Sequence, residues 1–229
     1  MAINHIFPLG SPWCQAKDGQ RPNANTSDYI LLVGGNEPIS FSLLFQAAVS
    51  YASKELNVTF ICQKAITSLP RCVHGMPQPD TKTLSTLKFL YLSTEHELVD
   101  HCSTMHLKNV LPDILIVADI HCYIGHGQAA HGEHTAARML ALLKDTIEFI
   151  KKKSASTQCK LIVSCNDYIK WINSVATKFS YQILKITEPA ELVGRMEWEE
   201  LDSQHILTFK TDGNQLFLDK ISVQGCVKS

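Results

Sequence analysis

The sequence is short of three things, and each shortage removes a class of function. Positive charge is not in excess: 21 Lys and Arg stand against 22 Asp and Glu, for a net charge of −1. No global field therefore advertises nucleic-acid binding, although a local basic patch is still open. No apolar run approaches the roughly 20 residues needed to span a bilayer, and no basic segment followed by an apolar one opens the chain. An intracellular protein with no membrane partner is expected. The eight cysteines include no Cys-x-x-Cys pair. Cys62, Cys122, Cys159 and Cys165 sit in or beside apolar runs, where a free thiol behaves as a small hydrophobe.

The most telling absence is a lysine. Residues 28–52 read DYILLVGGNEPISFSLLFQAAVSYA, the layout of a phosphate-binding loop. An apolar strand (Tyr29–Val33) ends in Gly34 and Gly35, and a helix with apolar residues at helical spacing follows over 42–54. In the working pattern G-x-x-x-x-G-K-[ST], backbone N–H groups wrap the phosphates, the Lys meets them and a hydroxyl holds Mg²⁺. Counted from Gly34, the second Gly is Ile39, the Lys is Ser40 and the hydroxyl residue is Phe41. Counted from Gly35, Ser42 supplies a hydroxyl but Phe41 takes the Lys position. Glu37 adds negative charge where phosphate oxygens belong. The architecture is that of a nucleotide-binding loop; the residues argue against ordinary nucleotide chemistry.

With 229 residues, 45% of them hydrophobic, the chain can build one α/β domain. Residues 1–27 end in a polar run and are expected to form a flexible N-terminal extension, with residues 28–229 as a single domain. Further strands are predicted at 58–63, 87–92, 113–119 and 161–165, with helices over about 94–106, 128–153 and 167–179. Residues 68–82 hold Pro70, Gly75, Pro77 and Pro79 and predict a loop. The end turns to strands at 181–187, 205–210 and 215–222, and Asp212-Gly213 signals a hairpin. Alternating strands and helices followed by antiparallel strands predict a RecA-like P-loop core: a mostly parallel sheet flanked by helices.

Candidate sites each have a plain alternative. Asp119 ends an apolar strand where a Mg²⁺-positioning acid of such an NTPase would sit; a strand-ending Asp is also ordinary loop chemistry. His121, Cys122, His126, His131 and His134 raise zinc, but their spacing matches no established module, and a polar loop before a long helix accounts for them. Phe45 and Ala48 fit the F-x-x-A pattern by which RecA-like recombinases grip one another, one pocket taking the ring and its neighbour the methyl; they equally fit a helix core. Lys151, Lys152 and Lys153 complement a helix C-terminus. Together with Lys160, Lys64 and Arg71 they are also the best candidate patch for single-stranded DNA.

Four stretches in the right order carry a family likeness: Ile30–Val49, Ser68-Leu69-Pro70-Arg71, Leu87–Ser103 and Leu207–Leu218. On these the chain resembles the SWIM-domain-associated ATPase subunit of the vertebrate Shu complex, a RecA-like recombinase paralogue. The resemblance implies a nuclear factor in homologous recombination that pairs with a SWIM-domain zinc protein, associates with a RecA-like recombinase and binds single-stranded DNA. It also implies a DNA-stimulated ATPase. Here Gly34 carries over to the first loop glycine, but Ser40 and Phe41 stand where the catalytic Lys and Thr belong. The expectation is therefore a pseudo-ATPase with no cofactor. ATP and Mg²⁺ would enter only through a non-standard site, with Lys64, Arg71 or a cation from a partner chain in place of the lysine. Residues 1–27 extend beyond the family's usual start.

Overall fold

Four consecutive side chains of the first strand, Ile30–Val33, are each at most 3% exposed. Such a run is buried on both faces only at the centre of a sheet covered on both sides. The computed structural model places it there, and describes residues 3–9, 27–124, 129–154, 158–166, 168–169, 171–200 and 203–225. Strand β1 (Tyr29–Gly34) lies between β6 (Lys160–Cys165) and β7 (Gln182–Ala190), parallel to both. Beyond β6 the parallel sheet continues through β5 (Ile114–Val117), β2 (Val58–Cys62) and β4 (Leu87–Tyr91). Beyond β7 it turns antiparallel through β8 (Val193–Glu200), β9 (Ser203–Asp212) and β10 (Gln215–Gly225). The two-residue β3 (Cys72–Val73) closes that edge alongside β10.

Strand alternation divides the core in two. Ile30 and Leu32 point to a layer built on α1 (Glu37–Ala52) and α2 (Thr81–Thr86). Leu31 and Val33 point to the opposite layer of α3 (Glu95–Ser103), α4 (Ala129–Ser154) and α5 (Ile172–Lys178). Helix α3 starts with a full capping box between Thr94 and Glu97, which satisfies two otherwise orphaned N–H groups.

Helix α1 is buried all round: every residue from Ser42 to Ala52 is covered. A helix apolar on all sides needs cover on its outer face as well. Part of that cover comes from the start of the chain, which corrects one expectation. Within residues 1–27, Ile3–Leu9 is not a flexible lead-in: Ile3, Ile6, Phe7 and Leu9 are buried in the α1 layer. His5 stacks on Tyr51 with ring centroids 3.8 Å apart, and Phe7 meets Phe209 of β9 at 5.4 Å. The polar run at 10–26 lies outside the described residues. More cover comes from the loop after β2, which buried Gln46 pins: its Oε1 accepts from the Val73 N–H (2.8 Å) and its Nε2 donates to the Pro77 carbonyl (3.0 Å).

Most predicted elements occur within a few residues of their expected ends. Among the described residues two strands and one α-helix have no counterpart among the sequence expectations: β3, α2 and above all β8, whose VGRMEWEE is charged at alternate positions. Gly194, Met196 and Trp198 form its inward face. A Cβ on Gly194 would fall 2.1 Å from the Phe209 ring, so only glycine lets that ring cross the strand.

Candidate functional site

The C-terminal ends of parallel strands are where sheets of this kind hold ligands, and here the ends of β2 and β5 border a cleft of about 530 Å³. Phe41 and Ser42 from α1, the loop Gln63–Arg71 after β2, Asp119 after β5 and Asn214 from the β9–β10 turn line it. Asp119 and Ser42 of the expected nucleotide site thus line one cleft with Lys64 and Arg71, the two cations named to replace the missing lysine.

The phosphate cradle itself is altered. A wrapping loop needs several residues with free N–H groups between strand and helix. Here β1 ends at Gly34 and α1 begins at Glu37, with Asn36 as its N-cap. Asn36 Oδ1 accepts from the Ile39 N–H at 3.0 Å, and Pro38 has no N–H to offer. The Gly35 N–H donates to the Ile186 carbonyl of β7 at 3.1 Å. The Asn36 N–H and side-chain amide donate to the two carboxylate oxygens of Glu188, at 2.7 and 2.8 Å. A carboxylate of the chain's own thus sits where the loop would present donors to an anion. Gly34 and Gly35 are needed for shape: both have positive φ, and a Cβ on Gly35 would fall 2.9 Å from Ile186.

The remaining loop positions serve packing. Ser40 is 5% exposed and its Oγ donates to the Asn36 carbonyl at 3.2 Å. Phe41 meets Phe60 edge-on, centroids 5.4 Å apart. Ser42 is buried; its Oγ donates to the Pro38 carbonyl and accepts from the Arg71 N–H at 3.2 Å. That hydroxyl holds the Ser68–Arg71 loop against α1, a role that no metal-ligand pattern signals. Asp119 adopts a left-handed conformation (φ 53°), and Ser164 of β6 exchanges two bonds with it, at 2.8 and 3.2 Å. It also helps burial push the Cys62 thiol up to about 11 and the Cys165 thiol up to about 12, so neither is a poised thiolate.

Other candidates separate. Phe45 is 2% exposed and Ala48 fully buried; Phe45 stacks on Phe89 with centroids 6.5 Å apart. The F-x-x-A residues are core, out of a partner's reach. Lys160 and Asp28 stand at the opposite, N-terminal end of the strands, about 17 Å from the cleft along β6 at 3.3 Å per residue. Asp28 pairs with both Lys151 (3.0 Å) and Lys160 (3.1 Å), while Lys153 donates to the His106 carbonyl at 3.0 Å. Lys152 and Lys153 are exposed. The six cations expected as one patch therefore fall into two groups at opposite ends of the sheet. Among the described residues no three His, Cys, Asp or Glu side chains converge to hold a metal. His121 is buried and His134 exposed on α4, whereas His126 and the His131 side chain lie outside the described residues.

The sequence matches no protein-family model and no curated protein sequence. Solved structures do match. One solved ATPase domain aligns at a TM-score of 0.53 with 6% identity, covering 81% of each chain. A DnaB-like replicative helicase, solved with its interactions with primase, aligns at 0.54 with 5% identity, over 85% of this chain and 59% of its own. The flagellar accessory protein FlaH from Methanocaldococcus jannaschii aligns at 0.50 with 11% identity, over 86% and 89%. The fold is RecA-like. At such identities the likeness concerns architecture, and the site must be read from its own residues.

Proposed function

We propose that this RecA-like chain is an accessory subunit in homologous-recombination DNA repair, a nuclear pseudo-ATPase. It pairs with a SWIM-domain zinc protein and promotes or stabilises recombinase filaments on single-stranded DNA. The observation that carries the pseudo-ATPase part is the start of α1: Asn36, Ile186 and Glu188 already occupy the N–H groups a phosphate would need. Charge-assisted contacts of about 1.5–3 kcal/mol each are missing from such a site. The partner assignment rests on the four stretches of family likeness, and the RecA-like core is compatible with it. Of the α4 cluster, exposed Lys152 and Lys153 are left to meet DNA.

A second reading has an observation of its own. Lys64 and Arg71 line one cleft with Asp119, which is the arrangement a DNA-stimulated ATPase with a non-standard site would use. Titration calorimetry with ATP and Mg²⁺ separates the two: micromolar binding at this cleft overturns the pseudo-ATPase. Affinity capture from nuclear extract with mass spectrometry tests the partnership. Recovery of a SWIM-domain protein and a recombinase is the expected result, and their absence sinks it.

A further inference from the structure

The geometry points to a second, separate site: a pocket at the N-terminal ends of β2 and β4 that binds one phosphate-class oxyanion. Lys88 is the second residue of β4, His101 lies in the last turn of α3, and Lys108 follows the 3-10 turn Thr104–Leu107. These three line a pocket of about 120 Å³ together with the hydroxyl-bearing Thr59 and Thr86. The inference does not depend on the recombination reading, because the pocket lies at the other end of the sheet from the cleft.

Three basic groups gather here without an acid. The Lys108 ammonium lies 3.1 Å from both ring nitrogens of His101, and the one nitrogen that a neutral imidazole leaves unprotonated can accept from it. Burial, Lys108 and Lys88 push His101 down to about 4, and burial with Lys88 lowers Lys108. Neither lysine has a carboxylate partner among the described residues. Asp113, the acid at the start of β5, turns to Asn57 instead, accepting from its backbone at 2.9 Å and its amide at 3.2 Å. Asp100, beside His101, pairs with His96 at 3.3 Å on the exposed side of α3. Neighbouring like charges in a partly closed pocket are unfavourable until an anion joins them. Two ammonium groups match a dianion, the Thr59 hydroxyl can add a hydrogen bond while that of Thr86 already donates to the Thr83 carbonyl at 2.8 Å, and the volume excludes anything as large as a nucleotide. The ligand is free inorganic phosphate or a phosphomonoester on a partner's side chain, which present the same dianionic group.

The test is NMR on the full chain with ¹⁵N-labelled histidine. Sulfate, a dianion throughout the acid range, should raise the proton affinity of His101 about tenfold. At neutral pH, inorganic phosphate should perturb the His101 signals saturably. Lys88→Gln should weaken that binding at least about tenfold; Lys88 is exposed, so the variant keeps its melting curve. O-phosphoserine binding as well as phosphate identifies the phosphomonoester source, and phosphate alone identifies the free anion; either supports the site. An unmoved His101 titration, or perturbation of equal strength in Lys88→Gln, overturns it.

Discussion

Glu188 holds Asn36 with both carboxylate oxygens, one on the backbone N–H at 2.7 Å and one on the side-chain amide at 2.8 Å. This pair ties the antiparallel side of the sheet to the first turn of α1 and fixes the helix start two residues after the second glycine. Glu188→Ala should lower stability by about 1 kcal/mol. Asn36→Ala removes the N-cap as well and should cost about 1 kcal/mol more. Urea unfolding at neutral pH measures both, and equal losses would mean that the Asn36 cap contributes nothing beyond its bonds with Glu188.

Restoring the missing lysine should not restore nucleotide binding. Ser40 is buried and bonded to the Asn36 carbonyl, so Ser40→Lys places an unpaired charge in packed surroundings. A loss on the order of 3 kcal/mol is expected, with no ATP–Mg²⁺ heat by calorimetry. A folded variant that binds ATP would show that the loop can reopen.

Phe45→Ala should cost about 3–5 kcal/mol, because the ring is enclosed against Phe89. Any loss of recombinase binding in this variant should track its loss of folded protein, read by circular dichroism. A variant of unchanged melting temperature that no longer binds would return Phe45 to the surface.

Oligonucleotide affinity should distinguish the lysines of α4. Asp28 already neutralises Lys151, so Lys151→Ala should change fluorescence-anisotropy binding less than Lys152→Ala. The loss on Lys152→Ala should shrink as salt rises. Equal effects of the two would show that Asp28 releases Lys151 on binding.

Two imidazoles give the fold a pH dependence. Burial, with nearby lysines, pushes His5 down to about 3 and His101 to about 4. Both are neutral in the fold and take up protons more readily when unfolded, near pH 6.5. Their contribution is complete above pH 6.5 and is lost as pH falls through the window down to about 4 and 3. Asp28, held below the usual carboxylate range by Lys151 and Lys160 against the cost of its burial, adds a loss in the same direction at still lower pH. Thermal melts between pH 4 and 7 should show the decline, and His5→Gln should flatten it. An unaltered slope would mean that His5 does not titrate on unfolding.

The parallel half was legible because its strands are buried on both faces and carry uninterrupted apolar runs, as Ile30–Val33 and Ile114–Val117 do. Strand β8 was not, because Arg195, Glu197 and Glu199 mask a period of two whose inward members are Gly194, Met196 and Trp198. Asp119, Lys64 and Arg71 could be named from strand-end positions and missing charge, and one cleft gathers them. Glu188 could not: it lies 152 residues from Asn36, and only the β1–β7 pairing brings them together. The separation of the six cations was hidden for the same reason, since only the fold shows that Lys64 and Arg71 line the cleft while Asp28 pairs with Lys151 and Lys160.

The contact of Phe7 with Phe209 joins residues far apart in the sequence. During synthesis Phe7 emerges well before Phe209 and must wait, apolar and uncovered, until β9 leaves the ribosome. Central strand β1 waits too, since β6 and β7 on either side of it are more than a hundred residues downstream. Native structure therefore closes late, and the nascent chain is most exposed to aggregation before β6, β7 and β9 have emerged.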